Sequence, residues 1–203
     1  MTNKPSHTGK DGYIRIVVGQ SAYKDANKRY NQEDYLFTRL AFIVSAEFAN
    51  SERSLTTLTR VLEKILGQKR ADEYMNNYDP QKLVTDLTNN KVYLANIKDD
   101  KKKLLELANH SNEKIKFLLF GSDAIDAFTN IHPQNNIEIY TYPHPSTQNN
   151  RIYLDINSGK KSKYNKREYS TPKEIKKNFT IKELNVDPSV PYTENNTQTD
   201  IES

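Results

Sequence analysis

The sequence contains no cysteine and only four histidines among its 203 residues. The missing thiol excludes a disulfide framework, a thiolate nucleophile and a cysteine-based zinc site, and the histidine spacing supports no other metal site. We therefore expect neither a metal nor a cofactor. The first residues lack the apolar core of a signal peptide, and no apolar run approaches the roughly 20 residues that span a bilayer. These absences predict a cytoplasmic protein with no membrane partner.

Apolar residues are scarce, at 35% of the chain, but 13 tyrosines, 7 phenylalanines and several apolar runs argue against wholesale disorder. A chain of this length suits one buried domain with polar tails. We predict a flexible segment over 1–12, an α/β domain over 13–156, a basic extension over 157–184 and a disordered tail over 185–203. We expect the protein to be a monomer.

The net charge of +4 is concentrated late in the sequence. A run with few acids carries Lys160, Lys161, Lys163, Lys166, Arg167, Lys173, Lys176 and Lys177. Such a run is either a solvated arm or a surface that binds phosphates. The sequence alone leaves both interpretations open.

Short apolar runs alternate with segments of helical periodicity. The runs YIRIVV (13–18), KVYLANI (91–97), KIKFLLFG (114–121) and NIEIYTY (136–142) have the length and composition of buried strands. The segments at 33–49, 54–67, 81–90 and 101–111 are predicted to be helices. This alternation predicts a three-layer α/β fold, in which a central four-stranded parallel twisted sheet is flanked by helices.

Ligands of such sheets bind beyond the carboxyl ends of the strands. The residues that follow the four apolar runs are therefore candidates for a site: Gln20, Ser21 and Tyr23, Asn96, Gly121 to Asp123, and His144 to Ser146. The acidic residues Asp99, Asp100, Asp123 and Asp126 are interpreted as loop and helix-surface residues with no catalytic role.

The strand ends carry a specific set of motifs in order: GQSAY, LAF, VYLAN, FLLFGSDA and YPHPS. Together they resemble the motifs of the uracil-DNA glycosylase superfamily, nearest the family with Gly-Gln-Asp-Pro-Tyr near its start and His-Pro-Ser near its end. The resemblance runs from Tyr13 to Asp155. It implies the same four-stranded α/β fold, with a longer interval before Phe42 and a shorter one between Asn96 and His144 than the family usually has.

The resemblance also implies roles for individual residues. Gln20 and Asn96 would contact the polar edge of a flipped uracil, Tyr23 would exclude thymine beside C5, and Phe42 would stack on the base. His144 would stabilise the negative charge that develops on the departing base. Ser146 would hold a DNA phosphate. Independently of the resemblance, Lys160, Lys161 and Lys163 would bind further phosphates if the basic run forms a DNA-facing surface.

Two departures from the family pattern bear on activity. The water-activating aspartate of the family falls at Ser21, and Ala22 stands where the family has proline. A serine carries no charge to stabilise an oxocarbenium-like sugar and takes no proton at neutral pH. After His-Pro-Ser, Thr147 and Gln148 replace the leucine that would fill the space left by a flipped base.

The motifs and departures together predict a uracil-DNA glycosylase homologue with little or no excision activity. It would act by binding uracil-containing or single-stranded DNA, or an acidic DNA-mimic inhibitor protein. The alternative is an active glycosylase with altered water activation, because stabilising the departing base supplies part of the rate. A third interpretation is an unrelated α/β protein in which the motifs coincide by chance.

Overall fold

The computed structural model describes residues 12–20, 37–45, 52–146 and 182–183, and these contain the predicted sheet. Its strands are β1 (Ile14–Gly19), β2 (Val92–Asn96), β3 (Ile115–Phe120) and β4 (Ile137–Tyr142). All four are parallel, in the order β2-β1-β3-β4. A two-residue strand, β5 (Lys182–Glu183), pairs in parallel with β4 and extends the sheet by residues of the predicted basic extension. The predicted four-stranded parallel sheet is confirmed.

Five helices lie between the strands in the described ranges: α1 (Glu52–Leu66), α2 (Gln68–Asn76), α3 (Pro80–Asn89), α4 (Ile97–His110) and α5 (Ser122–Ala127). Local chemistry sets several of their ends. Helix α1 stops before Gly67, whose φ of 80° suits a residue without a side chain. Helix α3 begins where the Asp79 carboxylate accepts hydrogen bonds from the backbone N–H groups of Gln81 and Lys82.

The sheet is covered on both faces, which makes the fold a three-layer α/β structure. One apolar core packs α4 and α5 against alternate strand residues such as Ile16 and Phe117. The other packs α1, α3 and residues 40–43 against the opposite face, including Val17 and Leu118. Every residue of β1 and β3 is buried. Largely apolar strands that are buried along their whole length are typical of parallel sheets covered on both faces.

A row of charged side chains lies near the amino ends of the strands. Arg15 is in register with Lys116, and Lys116 with Glu138, so the three side chains are neighbours on one face. The hydroxyls of Tyr13 and Tyr140 donate to the two carboxylate oxygens of Glu138 at 3.0 and 2.7 Å. This network belongs to the end of the sheet opposite to the predicted site.

The prediction of a helix over 33–49 is wrong for its described part, residues 37–45, which form an irregular segment. Phe42 has a φ of 69°, which a right-handed helix does not contain. Residues 40–44 are all buried, and residues 40–43 belong to the apolar core that also contains residues of α1 and α3. Full burial gives an irregular segment the same apolar composition as a buried helix. We call residues 37–45 the edge segment.

Candidate functional site

The candidate site is the carboxyl edge of the sheet. Asn96 is in register with Gly19, and Phe120 with Tyr142. Gly19 is level with Phe120, because Val18 pairs with Leu119. The strand order reverses between β1 and β3, which is where open α/β sheets form a ligand crevice. The sequence-predicted residues Gln20, Phe42, Asn96, His144 and Ser146 all lie along this edge.

The start of α4 holds the edge segment in place. The Asp100 carboxylate accepts hydrogen bonds from the backbone N–H and the hydroxyl of Thr38 at 3.0 and 2.8 Å. Arg39 donates from Nε and Nη2 to the two oxygens of Asp99 at 2.9 and 3.1 Å. At the far end, the Tyr78 hydroxyl donates to the carbonyl of Val44 at 2.6 Å and accepts from its N–H. The segment is therefore fixed at both ends.

The two acids of α4 are not the simple surface residues that the sequence suggested. Asp100 is buried, with 6% of its area exposed. Hydrogen bonding from Arg39 holds the pKa of Asp99 below its usual range. Both carboxylates stabilise the position of the edge segment, and neither has a geometry that indicates catalysis.

Phe42 packs its ring against the backbone of Gly19. A Cβ at Gly19 would lie 2.5 Å from Phe42 Cζ and 2.7 Å from the Ala41 side chain, so only glycine fits there. The ring also meets Phe120 edge-to-face at 5.6 Å, and Phe120 stacks on Tyr142 at 4.6 Å. Phe42 is only 5% exposed. Its stacking on a base stays a prediction, and extensive stacking requires the edge segment to shift.

Asn96 caps α4 and binds the edge segment with the same side chain. Its Oδ1 accepts from the N–H of Asp99 at 2.9 Å, and its Nδ2 donates to the carbonyl of Arg39 at 2.6 Å. The residue is fully buried. Its predicted contact with a base therefore depends on the second Nδ2 hydrogen and on access from outside. The backbone of Gln20, the exposed residue after β1, accepts from the N–H of Lys98 at 3.2 Å.

The turn after β4 orients His144. Its Nδ1 accepts a hydrogen bond from the N–H of Ser146 at 3.3 Å, an arrangement that favours the neutral tautomer with its proton on Nε2. The imidazole lies against Gly121, where a Cβ would approach His144 Cδ2 to 3.0 Å. Gly121 has a φ of 91°, which also favours glycine. The ring is half-buried at the end of β3 and β4.

Arg60 was not singled out from the sequence, but it contacts this turn directly. Its Nη1 donates to the carbonyl of Pro145 at 3.1 Å and to the carbonyl of Ser146. Only 8% of the residue is exposed. The signal in the sequence was an arginine among the buried apolar positions of α1, next to Leu58 and Val61. Buried arginines are rare unless their guanidinium groups are paired.

A surface groove of about 380 Å³ opens between the beginning of α4 and one side of α5. Its lining mixes two lysines with two aspartates and includes no sequence-predicted base-binding residue: Ile97, Lys98, Lys101, Asp123, Asp126 and Ala127. Opposite charges on facing walls favour no single ligand charge. We do not assign the groove to the candidate site.

Several predicted residues lie outside the described ranges: Ser21, Tyr23, Thr147, Gln148, Lys160, Lys161 and Lys163. Their assignments stay predictions from the sequence. Within the described ranges, no cluster of three His, Asp or Glu side chains has the arrangement of a metal site. None of the helices described is long and apolar enough to cross a membrane.

A scan of protein-family models finds none that matches the chain, and a search of curated proteins finds no significant relative. The fold and the geometry of the carboxyl edge are therefore the structural basis for a functional proposal.

The contact between Gly19 and Phe42 predicts the effect of adding one methyl group. We expect Gly19→Ala to lower the free energy of unfolding in urea by about 1 to 3 kcal/mol, since overpacking forces side chains and backbone to move. The penalty should shrink in a double-mutant cycle with Phe42→Ala, because the ring struck by the new methyl is then gone. A Gly19→Ala protein of wild-type stability would contradict this packing.

The ion pair between Arg39 and Asp99 predicts a pH dependence. Because the folded-state pKa of Asp99 is lowered, its stabilising contribution is present above the unfolded aspartate pKa of about 3.9 and is lost as the pH falls through the folded value. We expect Asp99→Asn to lower the midpoint of thermal unfolding at pH 7 and to flatten its fall in acid. The exposed Asp123→Asn is the control. If the unfolding midpoints of wild type and Asp99→Asn fall in parallel as the pH is lowered, the ion pair between Arg39 and Asp99 does not stabilise the fold.

Proposed function

We propose that this protein is a uracil-DNA glycosylase homologue that binds DNA through the carboxyl edge of its sheet and has little or no excision activity. The observation that carries the proposal is the His144 turn. It places an imidazole beside Gly121 at the carboxyl end of the parallel sheet, and the hydrogen bond that its Nδ1 accepts from Ser146 favours a proton on Nε2. A donor aimed at developing negative charge is what base release requires.

The rest of the edge supports recognition of a base more than hydrolysis. Phe42, Gln20 and Asn96 place an aromatic ring and two amide side chains at neighbouring positions, and a shift of the edge segment would expose the buried Phe42 and Asn96 to a base. Ser21, directly after Gln20, supplies a hydroxyl where the resembling family has a carboxylate. Loss of a positioned acid-base group typically reduces the rate by about 100- to 10,000-fold. The expected result is a protein that recognises an extruded base and releases it unchanged.

The same His144 turn also favours a second candidate function, which is slow but genuine uracil excision. Stabilising the departing base contributes to catalysis independently of water activation. The two candidates differ in one measurable quantity, the turnover of uracil, and they share the requirement for DNA binding.

The role of position 21 is tested by introducing the carboxylate that the resembling family has there. With stoichiometric wild-type protein, we expect no uracil release above background from single-stranded or U:G-containing DNA. Ser21→Asp should produce measurable release, Ser21→Asn should not because it cannot ionise, and His144→Ala should abolish the gained activity. Clear wild-type turnover would establish the second candidate. Absence of release from Ser21→Asp, with no binding of uracil-containing DNA by wild type, would refute the proposal.

Salt dependence tests the basic extension as a DNA-binding surface. If Lys160, Lys161 and Lys163 contact phosphates, the log–log slope of affinity against salt should fall by about 0.7 to 0.9 per lysine in their triple alanine variant. The control is a triple alanine variant at the exposed residues Lys69, Lys102 and Lys114. Equal salt slopes in the two triple variants would show that the basic run is a solvated arm that does not bind phosphates. The affinity for an acidic DNA-mimic protein is measured in parallel at physiological salt. A higher affinity for DNA would indicate a DNA-binding protein, and a higher affinity for the mimic would indicate a decoy for the inhibitor.

A further inference from the structure

The turn that carries His144 has few backbone donors of its own. Pro143 and Pro145 have no N–H group, so only His144 and Ser146 can donate within residues 143–146. The N–H of Ser146 is engaged with Nδ1 of His144. The carbonyl groups of the turn therefore need donors from elsewhere in the chain.

Arg60 supplies them from α1, more than 80 residues away in sequence. One nitrogen of its guanidinium group serves two successive carbonyl groups, those of Pro145 and Ser146. A buried guanidinium group is retained at low energetic cost only when it is hydrogen-bonded. Helix α1 is held against the sheet by Leu58, Val61, Leu62 and Ile65, all of which are fully buried. The arginine is thus mounted on a rigid element.

One peptide unit connects Arg60 to His144. The carbonyl oxygen of Pro145, which accepts from Arg60, and the N–H of Ser146, which donates to His144, belong to the same planar group. Fixing the oxygen fixes the direction of the N–H. Hydrogen bonding at the oxygen also polarises the group, which strengthens the N–H as a donor.

We propose that Arg60 is a positioning residue that fixes the orientation and the Nε2–H tautomer of His144 through the Pro145–Ser146 peptide. The inference rests on the proposed function for its biological meaning, since a fixed Nε2–H donor is what recognition of a departing base would use. The effect of Arg60 on the tautomer is a property of the free protein and does not require a bound ligand. Arg60 lies outside the predicted motifs.

Imidazole ¹⁵N chemical shifts measure the tautomer directly. They are recorded at about pH 9, where a ring of ordinary pKa near 6.5 is neutral. The His144→Gln spectrum identifies the signals of His144 among the four histidines. We expect the wild-type ring to be almost entirely in the Nε2–H form. A wild-type ring that is mainly Nδ1–H would overturn the proposal without any variant.

Two substitutions then test Arg60. Arg60→Met removes the donors, and Arg60→Lys keeps the charge but lacks the planar fork. We expect Arg60→Met to give a mixture of both tautomers and Arg60→Lys an intermediate population. Tyr78→Phe is the control, because it removes the two hydrogen bonds between its hydroxyl and Val44 in the edge segment. A folded Arg60→Lys or Arg60→Met protein with the wild-type tautomer population would refute the role.

The same samples separate this inference from the proposed function. Binding of uracil-containing and thymine-containing oligonucleotides is measured by fluorescence polarisation with wild type and both Arg60 variants. If the tautomer responds to Arg60 but no oligonucleotide binds to wild type, Arg60 keeps its positioning role and the proposed function fails. If wild type binds the oligonucleotides, the ratio of its affinity for uracil-containing DNA to its affinity for thymine-containing DNA should decrease in the order wild type, Arg60→Lys, Arg60→Met.

Discussion

The carboxyl edge depends on the hydrogen bonds between the start of α4 and the edge segment. Asn96 caps the helix and binds the carbonyl of Arg39 with one side chain. Asp99 and Asp100 then bind Arg39 and Thr38 in the same region. These bonds add to the burial of Phe37 and Leu40 in the two apolar cores and hold Phe42 over Gly19. The position of the aromatic ring is therefore set by a helix that is distant in sequence.

The strands could be predicted closely from the sequence, whereas the edge segment could not. All four predicted strands are present, with ends that differ by at most one residue, because each is a short, mostly apolar and almost entirely buried run. The edge segment is equally apolar, and composition does not distinguish a buried helix from a buried irregular segment. Its conformation depends on polar anchors at Tyr78 and Asp100, which no local pattern connects to residues 37–45.

The candidate site could likewise be predicted only in part from the sequence. The sequence pattern predicted that Gln20, Asn96, His144 and Ser146 follow parallel strands, and all four lie at one edge of the sheet. It did not reveal that Asn96 is already engaged as a helix cap, or that Arg60 holds the His144 turn. The cap itself is local, but the bond from Asn96 to the carbonyl of Arg39 and the bonds from Arg60 to the turn join one side chain to a backbone carbonyl far away in sequence. Such pairings follow from tertiary packing rather than from residue spacing.

The burial of Phe42 within the edge segment, and of Asn96 against it, has an energetic consequence for any ligand that must touch them. Opening of the segment alone, with the sheet intact, is a local unfolding event whose free energy is smaller than that of global unfolding. A ligand that binds only the opened form has its intrinsic affinity reduced by the fraction of molecules that are open. The anchors at Asp99, Asp100 and Tyr78 therefore determine how many molecules are receptive at any moment, although none of them belongs to the predicted binding set.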